Sequence, residues 1–343
     1  MARYYSSSPM PRQRYQRRRR SFGGVLLSLI PVIICIAALA GVVYYRIEIS
    51  DYISGLSFTP TTDMQALHNS IKTTPRADLI LRATHPTLDQ REDFARNCKN
   101  EDVGTSVLGC YTVNGRMHIY DIRVPELEGI RESTLAHELL HAVYSRLPLA
   151  TRNRLEPLLR AGYEANKDQL YDDMQLYTPE AFLDELHSRL GTEVDNLPPE
   201  LEQHYARFFT NRPLVLSFYH QYAGYLAQLK AERDQLQAQI NELRASTDSI
   251  ISIYRTMVDE LQRRIDQYKV DFDNPAFSQE LLVHEYNLIQ EKKRQVNAMY
   301  DDIIAQVNYF NELVERFNNN IIQLQAITDA MSSAPSPPQM PSL

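Results

Sequence analysis

A chain of 343 residues with 43% apolar and 23% charged side chains has the composition of ordinary folded protein, enough for one or two domains. Its net charge of −7 conceals an asymmetry: residues 1–20 hold seven arginines and no acid, which leaves −14 for the rest. Nothing basic recurs downstream, and this excludes an extended nucleic-acid-binding surface.

The arginines sit in a Ser/Pro/Tyr/Gln-rich segment directly before an apolar run, so residues 1–20 read as a basic cytoplasmic tail flanking a membrane segment. Between Arg20 and Arg46 no residue is charged, and these 25 residues span about 37 Å as a helix, enough to cross a bilayer. One transmembrane helix is predicted at 21–45, with Tyr44 and Tyr45 at its outer interface and everything from residue 46 on the outer side of the cell membrane. A cleaved signal peptide is the competing reading, because Ala38-Leu39-Ala40 before Gly41 has the form of a cleavage site. The length of both leader and apolar run favours the retained anchor. Cys35 falls in the run, where a small packing residue is expected. Cys98 and Cys110 are left on the oxidising side, either bridged or as two buried thiols.

Residues 46–75, with Thr-Pro, Thr-Thr and Ser-Gly pieces, read as a juxtamembrane linker holding one short helix at about 63–71. Strand signals are confined to 76–131: residues 78–82, then 109–113 and 116–122 flanking Asn114-Gly115, a strong signal for a tight β-hairpin. After Gly129 the pattern turns helical, with Leu135, Leu139, Leu140 and Val143 as an apolar stripe. Further helices are predicted at 151–174, at 178–190 behind the cap Thr178 and Pro179, and at 198–209.

From Tyr222 the apolar residues fall into a heptad seam through Leu226, Leu229, Leu236, Ile240, Leu243, Ile250, Tyr254 and Met257, which then slips phase by four residues. Asp273-Asn274-Pro275 breaks it, and a second seam from Leu282 to Ile327 follows. Two such helices joined by a short turn predict an antiparallel coiled-coil hairpin over 222–331, about 75 Å long, before a disordered tail at 332–343.

The chemistry is carried by His137-Glu138-Leu139-Leu140-His141 on the helix after Gly129. Histidines four apart lie one turn above each other, so both imidazoles can reach one Zn²⁺, and the glutamate beside the first reaches a metal-bound water. In that chemistry zinc lowers the pKa of its water and polarises the scissile carbonyl, while Glu138 is the general base. The bland alternative is a helix whose two histidines sit at a surface or satisfied in a core.

On this motif, in its context 135–142, the chain resembles the zincin metallopeptidases, and among them the gluzincin-like ones. The resemblance covers about residues 105–210. It implies a third ligand from a glutamate on a later helix and a strand beside the site that binds substrate in extended form, here 117–122. The metzincin extension is absent, since Arg146-Leu147-Pro148 and Asn153 stand where a glycine and a third histidine are expected, and no thermolysin-like Asn-Glu motif occurs at its usual distance. The third ligand is therefore sought around 182–188, with Glu185 first and His187 or Glu193 as alternatives. Tyr205, His204 and Tyr163 are candidate donors to the oxyanion, Tyr205 first, with Arg207 and Arg212 read as surface charges.

The expected architecture is α+β and mostly α: a zincin-like metallopeptidase domain at 76–215, tethered by one N-terminal helix and continued by the coiled-coil hairpin. The expected function is zinc-dependent hydrolysis of a peptide or protein substrate, with a possible protein partner on the hairpin and no nucleic acid. A non-catalytic interaction protein working through the hairpin, and a zinc hydrolase of a non-peptide amide, are the alternatives.

Overall fold

The computed structural model describes residues 22–99, 107–175 and 177–333. The basic tail predicted at 1–20, and the C-terminal tail from 334 on, lie outside these residues. Helix α1 (Phe22–Tyr44) is followed after a bend at Tyr45 by α2 (Arg46–Leu56). From Ile30 to Tyr44 every side chain but one is exposed, Ile36 and Val43 by 61% and 69%, so no other described part of the chain covers this apolar surface. Cys35 is free and exposed on it rather than packed. Among the described residues no single helix is long and apolar enough to cross a membrane; the stretch Ile30–Tyr44 passes that test only together with Arg46–Leu56, bent from it by 66°.

Within residues 46–75 the short helix predicted at about 63–71 is α3 (Thr62–Ser70), but 46–56 is also helical, as α2, and packs on α4 (Pro75–Ala83). The strand predicted at 78–82 is α4 itself: Thr74 accepts a hydrogen bond from Ala77 N, Pro75 opens the first turn, and Ala77, Ile80 and Leu81 bury one helical face. A five-residue apolar run has no period of its own, and here the cap and the Ala77 contact choose the helix.

A mixed three-stranded sheet has the order β1 (Thr87–Asp89), β3 (Met117–Tyr120), β2 (Gly109–Tyr111), with β1 parallel and β2 antiparallel to β3. The hairpin at Asn114-Gly115 is present: Gly115 has φ of 73°, and Thr112 and Arg116 close the turn by a 2.8 Å bond. Between β1 and β2 runs α5 (Arg91–Asn97), and Cys98 after it forms a disulfide with Cys110 of β2.

The core lies where α6 (Ile130–Arg146) meets α7 (Leu149–Ala165), α9 (Pro179–Glu193) and the sheet. Leu135, Leu139, Leu140 and Val143, the predicted stripe, are at most 1% exposed and pack with Leu159, Leu186, Leu190 and Met117. Gly191 allows the closest approach: a Cβ there would stand 2.3 Å from a Leu140 methyl. Helix α8 (Lys167–Met174) splits the helix predicted at 151–174, and α10 (Pro199–Tyr205) ends four residues before its predicted limit.

Helix α11 (Arg212–Phe272) starts ten residues ahead of the predicted seam, and its first turns belong to the globular core through Val215 and Leu216. Arg212 is not a surface charge. It is 5% exposed, pairs with Glu202 and donates to the carbonyls of Val194 and Asp195, both at 2.8 Å, tying α11 to α10. Helix α12 (Gln279–Met331) returns antiparallel, as Thr247 to Gln306 (2.9 Å), Arg264 to Glu285 (2.8 Å) and Asn320 to the Leu229 carbonyl (3.1 Å) require.

Candidate metal centre

Helix α6 presents His137 and His141 one turn apart on the face toward α9, with their Nε2 atoms 3.1 Å from each other. Oε2 of Glu185, on α9, lies 3.3 Å from Nε2 of His141 and 3.7 Å from Nε2 of His137. Donor atoms bound tetrahedrally at zinc–ligand lengths stand roughly 3.3 Å apart, so these three separations match the edges of one coordination polyhedron. Of the three third-ligand candidates, Glu185 is the one that completes this group. His187 is fully buried and bonds His204, and Glu193 reaches only the far nitrogen of His137, at 3.8 Å.

A ring of further groups orients the three. Asp184 stands 2.9 Å from Nδ1 of His141, so that nitrogen carries the proton and Nε2 presents its lone pair to the centre. Arg189 donates to the other oxygen of Glu185 at 2.7 Å and to Glu193 at 3.3 Å, so the 185/189/193 spacing along α9 holds the carboxylate from behind. The charges follow this geometry. Burial opposes the ionised form of Glu185, but the two imidazoles outweigh it and hold its carboxyl well below the usual range. Burial also lowers His141, yet the bonds to Asp184 and Glu185 raise it well above the ordinary imidazole value. His137, with burial prevailing over Glu185, is lowered.

Glu138 points from α6 toward β2 and is 6% exposed. A Cβ on Gly109 would lie 2.7 Å from its Cγ and 2.8 Å from its Oε1, so the missing side chain of Gly109 makes room for this carboxylate. The cleft over the centre, about 750 Å³, has β2 as one wall, α6 and α9 as its floor, and Tyr219, Tyr222, Leu226 and Lys230 of α11 as the opposite wall. Strand β3, expected at 117–122 as the substrate strand, is central in the sheet with both edges paired, and it is β2 that lines the cleft. The sequence shows a hairpin but not which of its strands lies outermost. That depends on β1, which pairs with β3 across 31 residues of chain, Thr87 with His118.

Tyr205 is not a cleft residue. It is fully buried, its hydroxyl donates to the His187 carbonyl at 2.8 Å, and burial pushes its ionisation far up. His204 is likewise buried, and Tyr163 packs edge-on against Phe182. The cleft tyrosines are Tyr111, Tyr177, Tyr219 and Tyr222. Tyr177 is shifted upward by burial and by the neighbouring charge of Glu185, to which it hydrogen-bonds. Tyr177 stands directly before the Thr178 cap, and Tyr222 reads as a coiled-coil position, so neither carries a local sign of a site.

The chain matches no known family profile, no curated protein and no solved structure.

Proposed function

We propose that this protein is a zinc-dependent hydrolase of the metallopeptidase type, held at a membrane by its N-terminal helix, with peptide or protein as substrate. The observation that carries the reading is the convergence of His137, His141 and Glu185 at coordination distance in a cleft with Glu138 beside them. An imidazole and carboxylate donor set with room in front of it suits zinc in a catalytic rather than a structural site. When bound, the metal supplies a Lewis acid that acidifies a water and polarises a carbonyl.

The chain's own residues account for the rest. Glu138 is placed to take a proton from the attacking water and pass it to the leaving amine. Asp184 and Arg189 keep His141 and Glu185 in the one orientation that presents Nε2 and Oε2 together. An extended chain can add alongside β2, with backbone hydrogen bonds for affinity, in the manner of strand addition to a sheet edge. The donor to a developing oxyanion is sought among the cleft tyrosines Tyr111, Tyr177, Tyr219 and Tyr222 in place of Tyr205. The exposed, uncharged apolar stretch Ile30–Tyr44 supports the anchor, and the disulfide supports an extracytoplasmic site.

The test is metal analysis and proteolysis on the purified chain. Glu138→Gln is expected to keep one equivalent of zinc and lose cleavage of an unfolded protein substrate, and His141→Ala to lose both. Full activity in Glu138→Gln would end the mechanism. A chain with no metal at all favours the second reading, an interaction protein working through the hairpin, which rests on the length of α11 and α12.

A further inference from the structure

The cleft extends well beyond the metal centre along α11, where Tyr219, Tyr222, Ala223, Leu226, Ala227 and Lys230 line it from one face of the helix. Tyr222 stands at the edge of the centre, hydrogen-bonded to Ser133 one turn before His137. Lys230 lies eight residues further on, about 12 Å along the helix. On the opposite wall, β2 meets the centre at Gly109, beside Glu138, and the residues before it, Leu108 and Val107, pack against the same buried cluster as Leu226 and Met331. Both walls therefore lead away from the centre into one arm, apolar along its sides and with Lys230 at its end. Lys230 is exposed and joins no ion pair among the described residues, because the acids near it on α11 are engaged elsewhere: Glu232 faces Arg316 at 3.7 Å and Asp234 faces Arg233 at 2.8 Å. Arg189, the other lysine or arginine of the lining, is held by Glu185 and Glu193.

We propose that this arm is a specificity subsite for peptides with a large apolar side chain beside the cleaved bond and a carboxylate three or four residues from it, which Lys230 binds. The inference rests on the hydrolase reading above for the place of the cleaved bond. An extended chain advances roughly 3.3 Å per residue, so the stretch from Tyr222 to Lys230 spans three to four residues of substrate. Leu108, Leu226 and Met331 bury the apolar side chain, and the one cation left without a counter-charge meets the acid beyond it. The carboxylate is that of an Asp or Glu side chain or of a chain terminus. A charge at such a rim selects between partners by attracting one sign and repelling the other.

The test is a degenerate peptide library incubated with the full chain and zinc in detergent, its products sequenced by mass spectrometry. The expected cuts show acid enriched about fivefold three or four residues from the cleaved bond, on one side only, with Leu, Phe or Met between. Lys230→Glu should move the enrichment at that position to Lys and Arg. A library with amidated C-termini separates the two sources, since a side-chain preference survives amidation and a terminal one does not. Because Lys230 is exposed, the exchange keeps the fold, which circular dichroism verifies. An unchanged acidic preference in Lys230→Glu, or cutting with no charge preference in the original chain, overturns the subsite and leaves the hydrolase reading standing. Binding decides the converse case: on Glu138→Gln, a labelled Ala/Leu peptide carrying one Glu should bind about fivefold tighter than its Lys counterpart, and the order should reverse when Lys230→Glu is added. An uncut library with that binding order retained would sink the hydrolase and keep Lys230 as a peptide-binding residue; an uncut library without it would sink both.

Discussion

Asp51 and Arg146, 95 residues apart, grip each other through both carboxylate oxygens at 2.8 to 3.1 Å, and the same guanidinium donates to Tyr111 at 3.0 Å. Arg146 ends the motif helix, Asp51 belongs to the helix that continues from α1, and Tyr111 ends the strand along the cleft. One side chain thus joins α2 to the helix that floors the cleft and to the strand along its wall. Asp51→Ala leaves a largely buried guanidinium without its counter-charge and is expected to destabilise the fold by about 3 kcal/mol. Thermal unfolding measures this, and a change within error would show α2 to be loosely held.

Metal affinity should separate the groups around the centre. Glu185→Gln removes a donor and is expected to abolish stoichiometric zinc. Asp184→Asn only frees the His141 ring and should weaken zinc by about 10- to 100-fold. Competition with a chromophoric chelator gives both values; equal losses would contradict the division of roles.

Gly109→Ala sets a methyl 2.6 Å from Thr134 Cγ2 and 2.7 Å from Glu138 Cγ. With strand and helix both anchored, the carboxylate must shift, so turnover is expected to fall about 100-fold while bound zinc is unchanged. Loss of zinc in this variant would mean that β2 supports the ligands and not the base.

His204, bonded to His187 at 2.9 Å, is lowered to about 4 by burial and by the nearby arginines Arg207, Arg154 and Arg76. The unfolded chain takes up a proton near the ordinary imidazole value of about 6.5, so stability is full above that pH. It declines as pH falls toward 4, by about 3 kcal/mol in all. Denaturant titrations at pH 7.5 and 5 should show the decline, and His204→Phe should flatten it.

Reduction removes the bridge that pins Cys110 of β2 to the end of α5. Replacing both cysteines by serine is expected to cost about 2–4 kcal/mol and to raise KM more than it lowers kcat, because the strand lining the cleft is loosened while the metal ligands are untouched. An unchanged KM would show that β2 is held by the sheet alone.

Periodicity within single segments made much of this protein legible as sequence. The His137–His141 spacing on a helix, the Asn114-Gly115 turn, the Thr178 cap and the two heptad seams each depend on residues within a turn or two of one another. Local rules therefore sufficed for α6, α9 and the α11–α12 hairpin. Where two local rules competed, as in residues 78–82, sequence alone chose strand, and the buried face of Ala77, Ile80 and Leu81 chose helix.

What no local pattern contains is which surface meets which. The choice of Glu185 over His187 and Glu193 came from the packing of α9 on α6, which turns one carboxylate toward the imidazoles and one imidazole into the core. The outermost place of β2 followed from β1 pairing with β3, and Tyr205 was withdrawn from the cleft by a hydrogen bond to a carbonyl 18 residues before it. Side-chain direction along a helix repeats every few residues, but the neighbour it finds is set by contacts between distant segments, and only the folded chain decides those.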